Sequence, residues 1–403
     1  MPSITDRLTS RMDGVQSPLI PFVGELIRNN PGTISLGQGV VSYPPPARAI
    51  ASLQTFLARG DHLYKAVTGI KPLKAIIQTK LANDNQIEIT NENCIVVTAG
   101  SNMAFMNAVL AITQAGDEII LNTPYYFNHE MAITMANCRP VLVHTDNNYQ
   151  LDLAAISQAI TAKTKAIVTI SPNNPTGAVY SQASLKAVND ICRDRHIYHI
   201  SDEAYEYFTY DGVKHHSPAS FADSQAHTIS LFSLSKAYGF AGWRIGYMVI
   251  PQHLLMPVKK VQDTNLICPP VVSQYAAIGA LETGKTYCQQ QLKEIARVRK
   301  VVNDKLHSLR DLCSVSASSG AFYYFLKVNT NLSDLKLTKK LIEEYKVAVI
   351  PGSTFGIKDG CYLRVAYGSL QPSTAEMGIE RLIAGLKDIC GSPKKGGHYS
   401  HSK

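Results

Sequence analysis

The stretch SLFSLSKAYGFAGWRIGYMVI, from Ser230 to Ile250, begins like the end of a strand and closes with an apolar run short enough to be a buried strand. Between the two, Lys236 and Arg244 lie on a connection that contains three glycines. An amine in a partly desolvated site loses its proton more easily and can then attack an aldehyde to form a Schiff base. The planar fork of donors on Arg244 suits a phosphate. The stretch therefore predicts a site for a ligand that carries both an aldehyde and a phosphate.

Pyridoxal phosphate is a ligand with both groups. The pattern Ser233-x-x-Lys236, followed by Gly-Trp-Arg244-x-Gly, resembles the lysine-attachment motif of the class I/II aminotransferases, the fold-type-I pyridoxal-phosphate enzymes. A surface lysine beside a loop arginine is the alternative for these residues alone. The resemblance extends from about Ile34 to Ala384. It implies that Lys236 is catalytic and holds the cofactor as a Schiff base.

Length and composition indicate an ordinary two-domain globular protein. The chain has 403 residues, of which 45% are hydrophobic and 17% charged, and its formal charge is +8. No block of Lys and Arg alternates with aromatic residues, and no apolar run has the length of a membrane span, so we expect no nucleic-acid or membrane partner. We expect an N-terminal arm with part of the small domain over 1–45, a large cofactor-binding domain over 46–300, a small domain over 301–391 and a flexible tail over 392–403.

The eight cysteines are widely spaced and form no C-x-x-C pair, which argues against a zinc site or a redox dithiol. The N-terminus lacks the apolar core of a signal peptide. We therefore expect a reducing, cytoplasmic setting. His398 and His401 lie in the expected tail and are interpreted as solvated rather than as metal ligands, and no metal is expected.

Strands alternate with helices from Cys94 onward. The strands are predicted at 94–100, 117–126, 139–145, 164–177 (ended by Pro172), 197–205, 228–233 and 246–250, with helices at 47–58, 72–83, 102–112, 184–195 and about 252–303. After about residue 306, short strands at 321–328, 347–351 and 361–366 alternate with helices at 335–345 and 374–389. The fold class is thus α/β: a mixed, mostly parallel seven-stranded sheet flanked by helices, with a smaller α+β domain.

Ligands of an open α/β sheet gather at the carboxyl ends of its strands. Gly100, Ser101 and Asn102 lie where the first of these strands turns into a helix, and free N–H groups at a helix start can bind an anion. This signal is weak alone, because any such turn can carry a glycine-serine pair. The resemblance implies that these three residues, with Ser233 and Arg244, bind the cofactor, and that Ser101, Asn102, Ser233 and Arg244 hold its phosphate.

Asp202 ends the fifth strand, and without the resemblance a helix N-cap would be the favoured interpretation. The pattern Asp202-x-x-Tyr205 resembles that of the family and implies that Asp202 keeps the pyridine nitrogen protonated, which makes the ring a better electron sink. Tyr205 and Asn174, in an Asn-Pro-Thr-Gly turn, would then donate to the cofactor's phenolic oxygen. Asp202 and Tyr205 are expected to be catalytic. Tyr126 is expected to stack on the ring, with core packing as the alternative and Tyr125 the less favoured candidate.

Arg364 interrupts an otherwise apolar predicted strand. A buried arginine without a partner is costly, so it is expected to face an anion. The resemblance implies that Arg364 binds the substrate α-carboxylate through two parallel hydrogen bonds, with Asn174 and the backbone of Gly39 nearby. Tyr64 resembles a tyrosine that reaches the cofactor phosphate of a neighbouring subunit, which implies a homodimer with a shared active site. An exposed loop tyrosine is the alternative.

The function implied is ping-pong transamination between an L-amino acid and a 2-oxo acid, with 2-oxoglutarate as the expected acceptor. Asn102 takes the place of a lysine that several aspartate-using relatives carry, and the nearby tyrosines suit a neutral or aromatic donor, although aspartate stays open. Two alternatives are a pyridoxal-phosphate-dependent carbon–sulfur β-lyase and a non-catalytic regulatory module that binds the cofactor. The second is disfavoured because residues 1–35 are too few for a DNA-binding domain.

Overall fold

The computed structural model describes residues 10–391, so the predicted tail over 392–403 lies outside the described residues. Its helices are α1 (Ser10–Asp13), α2 (Leu19–Arg28), α3 (Ala47–Leu57), α4 (Lys71–Lys80), α5 (Ser101–Ile112), α6 (Phe127–Met135), α7 (Leu153–Ala159), α8 (Gln182–Asp194), α9 (Leu234–Ala237), α10 (Leu255–Leu266), α11 (Val271–Glu282), α12 (Gly284–Leu306), α13 (Asp334–Tyr345) and α14 (Pro372–Cys390). Its strands are β1 (Ile34–Ser35), β2 (Asn93–Thr98), β3 (Glu118–Thr123), β4 (Arg139–His144), β5 (Thr164–Ile170), β6 (Tyr198–Asp202), β7 (Thr228–Ser233), β8 (Gly246–Pro251), β9 (Cys313–Val315), β10 (Tyr323–Val328), β11 (Val347–Ala348), β12 (Ile350–Pro351) and β13 (Cys361–Ala366).

The main sheet has seven strands in the order β2-β8-β7-β6-β5-β3-β4. Strand β8 runs antiparallel to both of its neighbours, and the other pairs are parallel. The predicted mixed, mostly parallel seven-stranded sheet is therefore confirmed. Because β8 is reversed, its first residue, Gly246, pairs with Ser233 and Thr98, the last residues of β7 and β2. The start of β8 thus lies at the same sheet edge as the carboxyl ends of the parallel strands.

Both faces of this sheet are covered, which explains why its strands are nearly continuous apolar runs. Val97 of β2 packs with Leu73 of α4 and Ala276 of α11. The preceding residue, Val96, points to the other face and packs with Val109 of α5. Successive side chains of a strand alternate between the faces, so β2 contributes to two separate cores.

A second sheet, antiparallel and in the order β12-β13-β10-β9, forms the core of the C-terminal part of the chain. Apolar residues of α12, α13 and α14, among them Val302, Leu341 and Leu382, pack with the strand residues Tyr324 and Leu363. Strand β1, from the N-terminal part, pairs in parallel with β11 of this region. The predicted change to a smaller α+β arrangement is present, and the domain limits themselves stay a prediction.

Most predicted elements lie within a few residues of the observed ones, but α6, α7, α9 and β9 were not predicted. The α6 sequence, FNHEMAITM, places polar residues between apolar ones and has no clear helical period. Helix α8 begins two residues before its predicted start because Ser181 caps it: the Ser181 side chain accepts a hydrogen bond from the Ser184 N–H. None of the helices within residues 10–391 has the length and apolar character needed to span a bilayer.

Gly246 gives a stability test of the junction between β2, β7 and β8. A Cβ there would lie 2.5 Å from the carbonyl oxygen of Phe232 and 3.1 Å from the backbone of Gly100, neither of which can move freely. We expect Gly246→Ala to lower the free energy of unfolding by about 1–3 kcal/mol in urea denaturation. Gly242→Ala is the matched control, because nothing lies within 4 Å of a Cβ at that position. Equal stability of the two variants would contradict the packing described.

Candidate active site

A cavity of about 340 Å³ lies at the carboxyl ends of the parallel strands. Of the thirteen residues that the sequence assigned to the site, those that line the cavity are Gly39, Ser101, Asn102, Tyr126, Asn174, Asp202, Tyr205, Ser233, Lys236, Arg244 and Arg364. Gly100 and Tyr64 do not line it. The residues come from the ends of β2, β3, β5, β6 and β7, the start of β8, the loop after β1, and β13 of the second sheet. The fold therefore collects in one place residues that are far apart in sequence.

Gly100 lies directly behind the cavity wall, at the N-cap of α5. Its φ is +84°, which favours glycine, and a Cβ there would lie 2.6 Å from Nη2 of Arg244. Arg244 donates through Nη1 to the carbonyl oxygen of Ala241 at 2.8 Å. The guanidinium is thus fixed beside the start of α5, where the first N–H groups of the helix have no intrahelical partner. Ser101 and Ser233 complete this polar end of the cavity.

Lys236 lies in α9, the short helix directly after β7. Its Nζ donates to the carbonyl oxygen of Gly39 at 2.5 Å, and the Tyr43 hydroxyl donates to the Lys236 carbonyl oxygen at 2.6 Å. Burial lowers the pKa of Lys236 to about 8, with further lowering by the positive charges of Arg364 and Arg244 and a partial offset by Asp202. A larger share of this amine is therefore neutral near physiological pH than for an ordinary lysine.

Asp202 is buried at the end of β6, with 4% of its surface exposed. Its Oδ1 accepts a hydrogen bond from the N–H of Ala204 at 3.1 Å. On its other side, Nε2 of His129 lies 3.1 Å from Asp202 Oδ2. His129 belongs to α6 and stacks on Phe105, with ring centroids 3.9 Å apart. The sequence did not indicate His129, because its helix was not predicted and no local motif marks it.

Arg364 is almost fully buried, with 1% of its surface exposed. Nη1 donates to Asn174 Oδ1 at 2.9 Å and Nη2 to the carbonyl oxygen of Gly37 at 2.7 Å, while Nε has no partner among the described residues. The guanidinium carbon lies 4.6 Å from the centroid of the Tyr323 ring and 4.9 Å from that of Phe355. Its hydrogen-bond partners are neutral, so this buried charge is suited to binding an anion in the cavity.

Asn174 and Tyr205 are joined by a hydrogen bond from Asn174 Nδ2 to the Tyr205 hydroxyl at 3.4 Å. The Tyr205 hydroxyl also lies 2.7 Å from that of Tyr323, a cavity-lining residue that the sequence did not indicate. Burial, with the neighbouring Tyr323, raises the pKa of Tyr205 well above its usual value. Burial also raises the pKa of Tyr323 to about 12, so both hydroxyls are protonated at physiological pH.

Tyr126 is half-buried at the N-cap of α6, and its hydroxyl accepts a hydrogen bond from Asn128 Nδ2 at 2.9 Å. Its ring lies on the cavity wall at an edge-on angle to His129. Tyr125 does not line the cavity and packs instead against Gly356. Stacking of Tyr126 on a ligand stays a prediction.

Tyr64 is on an exposed loop before α4, with 76% of its surface accessible. The adjacent Leu63 is 75% exposed. The side chain of Tyr64 is thus exposed and lies outside the cavity of its own chain. This is expected for a residue that acts in another subunit and equally for an exposed loop residue. All eight cysteines are free, and no cluster of three or more potential metal ligands occurs within residues 10–391.

Comparison with known proteins identifies the family. The sequence model of "Aminotransferase class I and II" matches residues 31–382. The chain belongs to this family. The aspartate aminotransferase of Pyrococcus abyssi is 32% identical to this chain, over 90% of this chain and 94% of its own length. The aromatic aminotransferase ISS1 of Arabidopsis thaliana is 32% identical over 95% of this chain and 97% of its own length.

A solved structure supports the same assignment. A single mutant of the Thermus thermophilus aspartate aminotransferase has a TM-score of 0.86 and 28% identity, over 94% of this chain and 99% of its own. The predicted family and fold type are therefore confirmed, and the chain is an aminotransferase. Class I and II aminotransferases use pyridoxal phosphate as cofactor.

The lowered pKa of Lys236 gives a pH-dependent prediction. In the aminotransferase without cofactor, labelling of Lys236 by trinitrobenzenesulfonate should have its midpoint near pH 8. In Arg364→Gln the midpoint should rise, because removing a neighbouring positive charge stabilises the protonated amine. Peptide mapping across a pH series measures this.

Lys305 in the same samples is the internal control. Glu380 and Glu376 raise the pKa of Lys305, so it should label only at higher pH in both proteins. A Lys236 midpoint as high as that of Lys305 in the unmodified sequence, or a lower one in Arg364→Gln, would contradict the electrostatics described.

Proposed function

We propose that the chain transfers the amino group of an L-amino acid with an uncharged, preferably aromatic, side chain to a 2-oxo acid, with 2-oxoglutarate as the acceptor. In this proposal pyridoxal phosphate is joined to Lys236 as a Schiff base. One observation carries the proposal: three cationic groups, Lys236, Arg244 and Arg364, line a cavity in which Asp202 is the single carboxylate among the described residues. Such a cavity requires anionic ligands.

The residues fit the cofactor from end to end. Arg244, Ser233 and the start of α5, with Ser101 and Asn102, would hold its phosphate. The buried carboxylate of Asp202 would face the pyridine nitrogen, while Tyr205 and Asn174 would donate to the phenolic oxygen and Tyr126 would lie on the ring. When bound, pyridoxal phosphate supplies an electron sink for the α-carbon of the amino acid.

The chain's own groups would perform the remaining steps. Arg364, with its unpartnered Nε and its contact to Asn174, would bind the α-carboxylate and thereby orient the Cα–H bond. As a free amine, released when the amino group of the substrate takes its place, Lys236 Nζ has a pKa lowered to about 8 and would accept the α-proton and return it. His129, 3.1 Å from Asp202, would keep that carboxylate in position.

The cavity walls favour an uncharged side chain on the donor. Ile20 and Phe127 line the cavity beside Tyr126, and Asn102 is neutral. In the proposal, Lys236 and Arg244 bind the cofactor and Arg364 binds the α-carboxylate. Within residues 10–391 of this chain, no other cation of the cavity wall remains to bind the side-chain carboxylate of aspartate. The relatives named for aspartate and for aromatic substrates are each 32% identical to this chain, so sequence similarity alone does not decide between these two substrate classes.

We also propose a homodimer in which Tyr64 acts in the partner's site, supported by its exposure and its position away from its own cavity. A monomer in sedimentation velocity at micromolar concentration would contradict this.

We further propose a cytoplasmic location, which the eight free cysteines support. The protein's absence from a cytosolic fraction would contradict it.

A half-reaction screen tests the function. The cofactor-loaded protein is mixed with single amino acids, and conversion of the bound cofactor to its amine form is followed by absorbance. Phenylalanine, tyrosine and leucine should react at least about 10-fold faster per unit concentration than aspartate, because burial of an unpaired carboxylate is costly. 2-Oxoglutarate should restore the original spectrum.

Lys236→Ala and Lys260→Ala are the paired variants, since Lys260 is an exposed lysine outside the cavity. Only Lys236→Ala should lose the absorbance band and the half-reaction. Faster reaction with aspartate would refute the uncharged-substrate proposal. Release of pyruvate and ammonia from a cysteine conjugate without a 2-oxo acid would indicate a β-lyase instead.

A further inference from the structure

Tyr323 connects three parts of the cavity. It is fully buried at the start of β10, its hydroxyl oxygen lies 2.7 Å from that of Tyr205, and its ring lies 4.6 Å from the guanidinium carbon of Arg364. A Cβ on Gly39 would lie 2.7 Å from the Tyr323 hydroxyl. The absence of a side chain at Gly39 therefore leaves the space that this hydroxyl occupies.

The surroundings of Tyr205 determine how its hydroxyl is arranged. Arg364 Nη1 donates to Asn174 Oδ1 at 2.9 Å. A guanidinium can only donate, so the amide oxygen of Asn174 must face it and Nδ2 must face Tyr205. The hydroxyl of Tyr205 thus accepts from Asn174 Nδ2 at 3.4 Å.

The direction of the bond between the two tyrosines follows from a count of partners. Among the described residues, the one hydrogen-bond partner of the Tyr323 hydroxyl is Tyr205. If Tyr205 donated to Tyr323, the proton of Tyr323 would be left without an acceptor in a buried site, which costs free energy. If Tyr323 donates, both lone pairs of the Tyr205 oxygen are used, and the Tyr205 proton faces the cavity, where the phenolic oxygen of the proposed cofactor would accept it.

We propose that Tyr323 is a positioning residue, whose hydroxyl donates to the Tyr205 oxygen and directs the Tyr205 proton into the cavity. This rests on the proposed function, in which Tyr205 faces the phenolic oxygen of the cofactor. A donor that itself accepts a hydrogen bond is polarised and donates more strongly. The Tyr323 ring also packs beneath Arg364, so the same side chain links the hydroxyl pair to the carboxylate-binding arginine.

Tyr323→Phe tests the role because it removes the hydroxyl and keeps the ring against Arg364. The pH midpoint of the absorbance change of the bound cofactor should rise by about 0.4–1 unit. Weaker donation by Tyr205 to the phenolic oxygen stabilises the deprotonated form of the cofactor less. We expect kcat to fall while KM changes little, because the Arg364 site is retained.

Tyr324→Phe is the matched control: the next residue on β10, also buried, with a hydroxyl that has no hydrogen-bond partner among the described residues. Its midpoint should equal that of the unmodified protein.

Gly39→Ala is an independent variant that crowds the Tyr323 hydroxyl from the other side, and it should move the midpoint in the same direction as Tyr323→Phe. It carries the test if Tyr323→Phe does not fold.

A double variant shows whether Tyr323 acts through Tyr205. Tyr205→Phe should raise the midpoint, and adding Tyr323→Phe to it should raise it no further. Additive shifts, or an unchanged midpoint in both Tyr323→Phe and Gly39→Ala, would overturn the positioning role. Lack of any cofactor absorbance in the unmodified protein would instead refute the proposed function, so the two failures are distinguishable.

Discussion

An excess of positive charge in one partly buried cavity is the constraint on which the site depends. Lys236, Arg244 and Arg364 share the cavity wall with one carboxylate, Asp202. Burial and the two guanidinium groups both oppose protonation of the amine, which explains the lowered pKa of Lys236. The same charges favour the binding of anions at two separate places, one at the start of α5 and one at Arg364. In the proposed function, the cofactor phosphate would bind at the start of α5 and the substrate carboxylate at Arg364.

The fold satisfies this constraint by bringing two sheets together. The ends of β2 and β7 and the start of β8 supply Ser101, Ser233, Lys236 and Arg244. Arg364 comes from β13 of the second sheet and donates to Asn174, which follows β5 of the first. The reversal of β8 is as important as the parallel strands, because it places Arg244 beside Gly100. Close backbone approach at Gly246 makes that arrangement possible.

Much of this could be predicted from sequence, because the relevant signals are local. Ser233-x-x-Lys236, Asp202-x-x-Tyr205 and the glycine turn before α5 are short patterns, each at the end of a recognisable strand. His129 and Tyr323 could not be found in this way. His129 reaches Asp202 from a helix without clear periodicity, and Tyr323 reaches Tyr205 across a separation of 118 residues.

The sequence also could not determine the direction of individual hydrogen bonds. The orientation of Asn174 depends on its contact with Arg364, and the space for the Tyr323 hydroxyl depends on Gly39. Both contacts exist only after folding. Tertiary packing, rather than local propensity, therefore decides the fine arrangement of the site.

The most direct test of the central claim is to incubate the purified protein with pyridoxal phosphate, reduce it with borohydride, digest it and locate the modified residue by mass spectrometry. One stoichiometric pyridoxyl group on Lys236 is the predicted result, since its amine is the one held among these cationic groups in the cavity. An unmodified Lys236, or stoichiometric labelling of a different lysine, would contradict the account.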